Sequence, residues 1–127
     1  MALKIEVRQV GDVSILDLDG SLSLAERQND GSSQVIERVR ALIDGGKTKI
    51  VLNFARLSYM DSAGIGQLIG TLTTTRSRGA RLNLLKPTRD VRKLLELTQL
   101  SKVMEIHDDE DSAVHAFAST AGNAGAA

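Results

Sequence analysis

Ile50-Val51-Leu52-Asn53-Phe54, followed at a short interval by Asp61-Ser62-Ala63-Gly64-Ile65-Gly66, decides the fold of this chain. The first run is continuous, apolar and of strand length, the pattern of a strand covered on both faces. Beyond the second, Ile65, Leu68, Ile69 and Leu72 recur at i, i+3, i+4 and i+7, one face of an amphipathic helix. A buried strand therefore turns into a helix near residue 61, and the turn sets the hydroxyl of Ser62 at an exposed helix start.

Working outward, Leu3, Ile5 and Val7 alternate with Lys4, Glu6 and Arg8, and Gly11-Asp12 separates them from Val13-Ser14-Ile15-Leu16-Asp17-Leu18, a hairpin pattern. Val35, Ile36, Val39, Leu42 and Ile43 form a helical stripe that stops at Gly45-Gly46. Its start carries two conflicting signals. Ser23-Leu24-Ala25-Glu26 has capping-box spacing, whereas Asn29-Asp30-Gly31 reads as a break; a short turn before the main helix satisfies both. The strand over residues 49–54 follows.

After the second helix, Gly79 is a stop and residues 81–85 read as a strand. Lys86-Pro87 leads into a shorter helix with Val91, Leu94 and Leu95. Residues 103–106 make a last short strand. Acidic residues 108–111 then open a final helix carrying Ala113, Val114 and Phe117, where the positive end of the helix dipole favours them. The order β-β-α-β-α-β-α-β-α predicts an α/β sandwich with a mixed, mostly parallel sheet, opened by the hairpin and covered by about four helices. Residues 1–118 are expected to form one domain, and the Ala/Gly-rich stretch 119–127 a frayed, flexible tail without function.

Composition narrows the function. The 127 residues suffice for one core and not for two ordinary domains. With no Trp, two Phe and one Tyr, the core is mainly aliphatic, and a stacking platform for single-stranded nucleic acid is not expected. Sixteen basic residues balance sixteen acidic ones, so the chain lacks the positive field that drives direct nucleic-acid binding. There is no cysteine, hence no disulfide or zinc-thiolate site. No stretch has transmembrane length and the N-terminus carries no signal-peptide block, so membrane insertion is not expected and a cytoplasmic location is.

Ser62 is the residue to explain. The plainest role is an N-cap accepting a backbone N–H, worth about 1 kcal/mol. Capping does not explain Gly64, Gly66 and Gly70, each costing roughly 0.8–1.0 kcal/mol relative to Ala in a helix interior. On a helical wheel Ser62, Gly66, Gly70 and Thr73 form a small-residue stripe that admits another backbone, belonging either to this domain or to a partner. A hydrolase would need a general base and an oxyanion hole at Ser62. The flanks do not form a Gly-x-Ser-x-Gly elbow, and His107 and His115, the imidazoles of the sequence, read better as solvent-exposed. A metal site from these histidines with Asp108, Asp109 and Asp111 is weaker than dipole-favoured acids at a helix start, and no metal or cofactor is expected. Arg76, Arg78, Arg81, Arg89, Arg92 and Lys93 read as a solvated basic face rather than an anion site.

The segment Met60-Asp61-Ser62-Ala63-Gly64-Ile65-Gly66 resembles the phosphorylation segment of the STAS domain family, specifically the bacterial anti-sigma-factor antagonists, which reads Asp-Ser-(small)-Gly-(Leu/Ile)-Gly. The resemblance extends over the opening hairpin, the strand at residues 50–54, and Pro87-Thr88-Arg89-Asp90-Val91 with the helix after it. It implies a STAS-type sandwich acting as a partner switch without being an enzyme itself. The unphosphorylated form would bind an anti-sigma factor with serine kinase activity and so release the sigma factor. Phosphorylation of Ser62 would switch binding off, and a serine phosphatase acting on phospho-Ser62 would restore it. Ala63 stands where many relatives carry a second Ser or Thr, leaving Ser62 as the motif's one hydroxyl.

The partner surface implied by the resemblance comprises Met60, Asp61, Ala63, Gly64 and Gly66, with Ser23 at its edge. Relatives often carry Gly-x-Leu-Asp after the second strand where this chain has Gly20-Ser21-Leu22-Ser23, and Gly31 interrupts a helix that is smooth in relatives. The same fold also serves as a non-switching scaffold or adaptor in stressosome-like or lipid-transport assemblies, with Ser62 then a helix cap. A homo-oligomer is compatible with the sequence.

Overall fold

The computed structural model describes residues 3–24 and 33–126. Glu26 and the Asn29-Asp30-Gly31 break lie outside them. The elements run β1 (Lys4–Val10), β2 (Val13–Leu22), α1 (Gln34–Asp44), β3 (Lys49–Met60), α2 (Ser62–Ser77), β4 (Arg81–Leu85), α3 (Arg89–Leu97), a 3-10 turn (Leu100–Lys102), β5 (Glu105–His107) and α4 (Glu110–Ala126). This is the expected α/β order, with β1–β2 antiparallel and every later neighbour parallel in a five-stranded sheet ordered β1-β2-β3-β4-β5. The hairpin closes through two residues, Gly11 and Asp12, between the paired Val10 and Val13. Gly11 has φ +61°, the backbone that a two-residue loop demands at its first position.

Alternation along the strands sends side chains to two faces. Leu16, Leu18, Leu22, Ile50, Leu52, Phe54, Leu57 and Leu84 enter the main core with residues of α1, α2 and α3. Val13, Ile15, Val51 and Leu85 form a smaller cluster with Ala113 and Phe117 of α4. Beyond α4 this second face is polar: Arg8 donates to Asp17 at 2.8 Å and to Glu110 at 2.6 Å, and Asn53 donates to Asp17 at 2.8 Å. The first turn of α4 is thereby tied to β1 and β2.

β3 is more than twice as long as the apolar run that announces it. The expectation ended the strand at Phe54; it continues to Met60. Its register against β2 shifts twice, between Asp17/Asp19 and between Gly20/Ser21, so β3 carries an extra residue at each place. Each bulge moves the next inward side chain by one position. Phe54, Leu57 and Met60 are consequently all buried at a spacing of three, a pattern that does not read as a strand. The extension matters because it carries the chain to the far end of β2, pairing Leu22 with Met60, before α2 begins.

α2 is inserted more deeply than a simple amphipathic helix. Ile65, Leu68 and Leu72 face the core as expected, joined by Gln67, Thr71 and Thr75, whereas Ile69 is 45% exposed. The threonines are accommodated because each hydroxyl bonds within its own helix, Thr71 to the Gln67 carbonyl at 2.8 Å and Thr75 to that of Leu72 at 2.7 Å. The backbone of α4 continues past residue 118 to Ala126.

Two of the glycines of α2 are explained by this insertion. A Cβ on Gly64 would lie 2.0 Å from the Leu22 carbonyl oxygen and 2.7 Å from Met60 Cγ. A Cβ on Gly70 would lie 2.8 Å from Ile36 Cδ1 of α1. Gly66 has nothing within 4 Å. The substitutions Gly64→Ala and Gly66→Ala should therefore move stability in opposite directions. Gly64→Ala is expected to lose about 1–3 kcal/mol by overpacking against backbone, and Gly66→Ala to gain about 0.5–1 kcal/mol from helix propensity; urea denaturation of the two variants checks both signs.

Candidate functional site

The β3–α2 junction is built around a carboxylate. Asp61 has an extended backbone (φ −112°, ψ −171°) and is the N-cap of α2, its Oδ1 accepting from the Gly64 N–H at 3.0 Å. Its Oδ2 accepts from the Leu24 N–H at 3.3 Å, and its own N–H donates to the Leu22 carbonyl at 3.4 Å. One residue thus closes the helix and holds the end of β2 to it. The Gly64 N–H, and after it that of Leu24, holds the Asp61 carboxyl below the usual carboxylate range, since both bonds favour the ionised form.

Ser62 is the first residue of α2, exposed, with no hydrogen bond from its hydroxyl among the described residues. The capping role open to it in the sequence belongs to Asp61, because the cap must be extended and must face the third helical N–H, here that of Gly64. Ser62 is therefore free for another role. The positive end of the helix dipole lies beside it.

The expected partner residues divide into two layers. Asp61, Ser62, Ala63 and Gly66 reach the surface, whereas Met60, Gly64 and Ser23 are buried beneath it. Met60 and Gly64 shape the surface by packing against each other and against Leu22. The backbone of Ser23 is held by Gln67, whose Nε2 donates to the Ser23 carbonyl at 3.1 Å while its Oε1 accepts from Ser33 Oγ at 2.8 Å. This buried glutamine fastens both flanks of segment 24–32 to α2, and Ser33 also caps α1 through the Ile36 N–H. The sequence offers little sign of it beyond its place on the wheel, beside Gly64, Leu68 and Thr71 on the inward arc.

The small-residue stripe also divides. Gly70 serves the packing of α1, while Ser62, Gly66 and Thr73 share the exposed face of α2 with Ile69. Ile69, assigned by its spacing to the core, and Leu24, 65% exposed, are large apolar side chains on elements that meet at this junction.

The other constellations come apart in the fold. His107 on β5 is half-buried, not exposed, and faces Glu105 at 3.3 Å; β5 is two strands from β3. Asp109 accepts from the Ser112 N–H at 2.8 Å and from its hydroxyl at 3.0 Å, the bonds of an acid at a helix start. Four of the six basic residues have separate partners: Arg76 bonds the Val103 carbonyl, Arg78 pairs with Asp44, Arg81 stacks 4.9 Å over Phe117, and Arg92 bonds Asp108 at 2.6 Å. No helix among the described residues is long and apolar enough to cross a membrane.

Fold and site together define a class: a small α/β sandwich with an antiparallel opening hairpin, whose longest strand feeds a carboxylate-capped helix presenting one unengaged serine. The family model described as "STAS domain" matches residues 4–113, and the chain belongs to that family. It is 29% identical over 115 residues to a protein named anti-sigma F factor antagonist from Paenibacillus polymyxa, covering 90% of this chain and 94% of that one. The structure resembles the phosphorylated form of the Bacillus cell fate determinant SpoIIAA, with a TM-score of 0.64, 26% identity, and coverage of 87% and 96% of the two chains. An anti-sigma factor antagonist from Mycobacterium paratuberculosis, at 16% identity, shares the fold with a TM-score of 0.73 over 90% of this chain and 92% of that one.

The cap makes a measurable pH dependence. A depressed native pKa means that the contribution of Asp61 is present above its unfolded value, near pH 4, and disappears as the pH falls through the native value. Asp61→Ala should cost about 1 kcal/mol at pH 7, and Asp61→Asn, which still caps, much less. The deficit of Asp61→Ala should shrink in acid, as followed by denaturation at pH 7 and below about pH 3.

Proposed function

We propose that this STAS domain is an anti-sigma-factor antagonist controlled by phosphorylation of Ser62. In its unphosphorylated form it binds an anti-sigma factor with serine kinase activity and so releases the sigma factor. Phosphorylation ends that binding and a serine phosphatase reverses the modification. The kinase supplies ATP and catalysis; the chain itself acts by binding, without cofactor, in the cytoplasm. One observation carries the reading: Asp61 performs the capping, which leaves Ser62 exposed and chemically uncommitted at a helix start. A serine needed as the cap would favour the adaptor alternative, and this serine is not. The names of the Paenibacillus polymyxa relative and of the phosphorylated Bacillus structure support the same reading.

The physics of the switch is local. A phosphate adds about −1.5 to −2 charges and three acceptor oxygens. In the free domain the dipole of α2 favours it, although it also meets the ionised Asp61. In a closed interface the same charge must lose its water, and a coupling of roughly 3 kcal/mol lowers affinity on the order of 100-fold. The partner surface comprises Asp61, Ser62, Ala63 and Gly66, supported from below by Met60, Gly64 and the Ser23 backbone. Domain 1–118 would hold all of it.

Intact-mass spectrometry of the protein with ATP and candidate anti-sigma-factor kinases should show one added phosphate on wild type and none on Ser62→Ala. Ser62→Ala should retain binding to that kinase, and Ser62→Glu should bind on the order of 100-fold more weakly; equal affinities for the two variants would exclude the switch.

A further inference from the structure

β1 is the edge of the sheet, paired among the described residues with β2 alone. Val10 and Val13 close a two-residue loop and so exchange both of their backbone hydrogen bonds. Such pairs alternate along an antiparallel ladder. Lys4, Glu6, Arg8 and Val10 therefore turn their N–H and C=O groups to β2, whereas Ile5, Val7 and Gln9 turn theirs away from the sheet. Edge strands are commonly blunted by proline, a bulge or charge. β1 has no proline, and its register against β2 is unbroken over residues 4–10. Its guard is charge of alternating sign on one face, Lys4, Glu6 and Arg8, which repels a strand added in some registers and attracts one added in others. Glu6 stands opposite Asp17 of β2, a residue of its own sign, and its ion pair with Lys4 at 3.2 Å joins two largely exposed side chains. Arg8 engages Asp17 and Glu110 through Nε and Nη2, and its Nη1 takes part in neither contact.

We propose that β1 is a self-association edge, to which a second copy of this chain adds its own β1 antiparallel, about a two-fold axis normal to the sheet through Val7. Residues opposed across an antiparallel pair share a face, so the axis of a closed dimer passes through one residue of the strand. Through Glu6 it would oppose Glu6 to itself and Lys4 to Arg8, and through Arg8 it would oppose Arg8 to itself; like charges so placed are destabilising. Through Val7 it sets Glu6 against the second copy's Arg8, and Arg8 against its Glu6, on one face, with Val7 against Val7 on the other. This axis also pairs the whole of β1, and joins the outward groups of Ile5, Val7 and Gln9 in about six backbone hydrogen bonds. An axis through Ile5 opposes Glu6 to Lys4 but leaves Arg8, Gln9 and Val10 opposite no residue of β1. The two-fold reverses β2 and β3 between the copies, so the two Ser62 positions, which follow the ends of β3, lie at opposite ends of the joined sheet and outside the contact. A single strand edge is smaller than a standard interface, which makes this a weak dimer, with Kd on the order of 10 μM to 1 mM.

Sedimentation equilibrium of the full chain tests this without any partner, and so independently of the function proposed for Ser62. Wild type should show a monomer–dimer equilibrium below about 1 mM. Glu6→Lys, at a side chain 67% exposed, should weaken the dimer at least about tenfold, because the two-fold doubles each lost charge pair. Lys4→Glu, opposite Val10 in this register, should stay within about twofold. Val7→Pro removes an outward donor and no ladder bond to β2, and should abolish the dimer. Circular dichroism melting verifies that each variant is folded, and if Val7→Pro is not, Glu6→Lys decides alone. A wild type that stays monomeric up to about 1 mM overturns the inference. A dimer that Glu6→Lys leaves unchanged is built elsewhere and overturns it equally. If Lys4→Glu weakens the dimer as much as Glu6→Lys does, the axis does not pass through Val7 and the pairing is overturned. Ser62→Glu should leave the dimer unchanged; if it dissociates the dimer, the second copy covers the start of α2 instead and the inference fails.

Discussion

The first turn of α2 lies against the carbonyl of Leu22 at a distance that admits no side-chain carbon, and the rest of the junction depends on that approach. With glycine at position 64 the helix descends onto the end of β2. The Asp61 carboxylate then reaches both the Gly64 and the Leu24 N–H groups, and the Gln67 amide reaches the Ser23 carbonyl. The buried Gln67 amide is answered by Ser23 and Ser33 on neighbouring segments, as the cost of burying an unpaired donor or acceptor requires. The glycine's intrinsic helix penalty is the smaller term beside these contacts.

A division of labour between adjacent residues follows. Asp61 does the structural work at the start of α2 and Ser62 does none. A group added to Ser62 would therefore break no capping bond. The arrangement is electrostatically mixed: the dipole of α2 favours a dianion, while the ionised Asp61 opposes it. Neither effect demands a rearranged core, since the residues beneath, Met60, Gly64, Ile65 and Leu68, are already closely packed.

Most of the architecture was legible because periodicity reports burial directly. The hairpin, the α1 stripe, the short β4 and the order of elements all read from spacing, and Asp61-Ser62-Ala63-Gly64-Ile65-Gly66 marks the β3–α2 junction. Failures occurred where burial departs from simple period. β3 beyond Phe54 escaped notice because two bulges put Phe54, Leu57 and Met60 at intervals of three. Ile69 falls on the inward spacing yet is 45% exposed, because a wheel gives the spacing of a face but not its width. Of the residues expected at a partner surface, Met60, Gly64 and Ser23 are buried while Asp61, Ala63 and Gly66 reach the surface, a division that a linear motif does not report.

By itself the sequence determined which segments become strands and helices, where β3 gives way to α2, and that a serine stands at that transition, because these follow from local periodicity, turn residues and caps within a few positions of one another. Only the tertiary structure decided which of two adjacent polar residues caps the helix, which glycines face a neighbouring backbone and which face open space, and that Gln67 is a buried tie between segments. Those outcomes depend on approaches between β2, α1 and α2, whose contacting residues lie 34 to 44 positions apart in Ser33–Gln67 and Ser23–Gln67. Side chains distant along the chain share no local pattern, so their meeting is set by the packed geometry rather than by spacing.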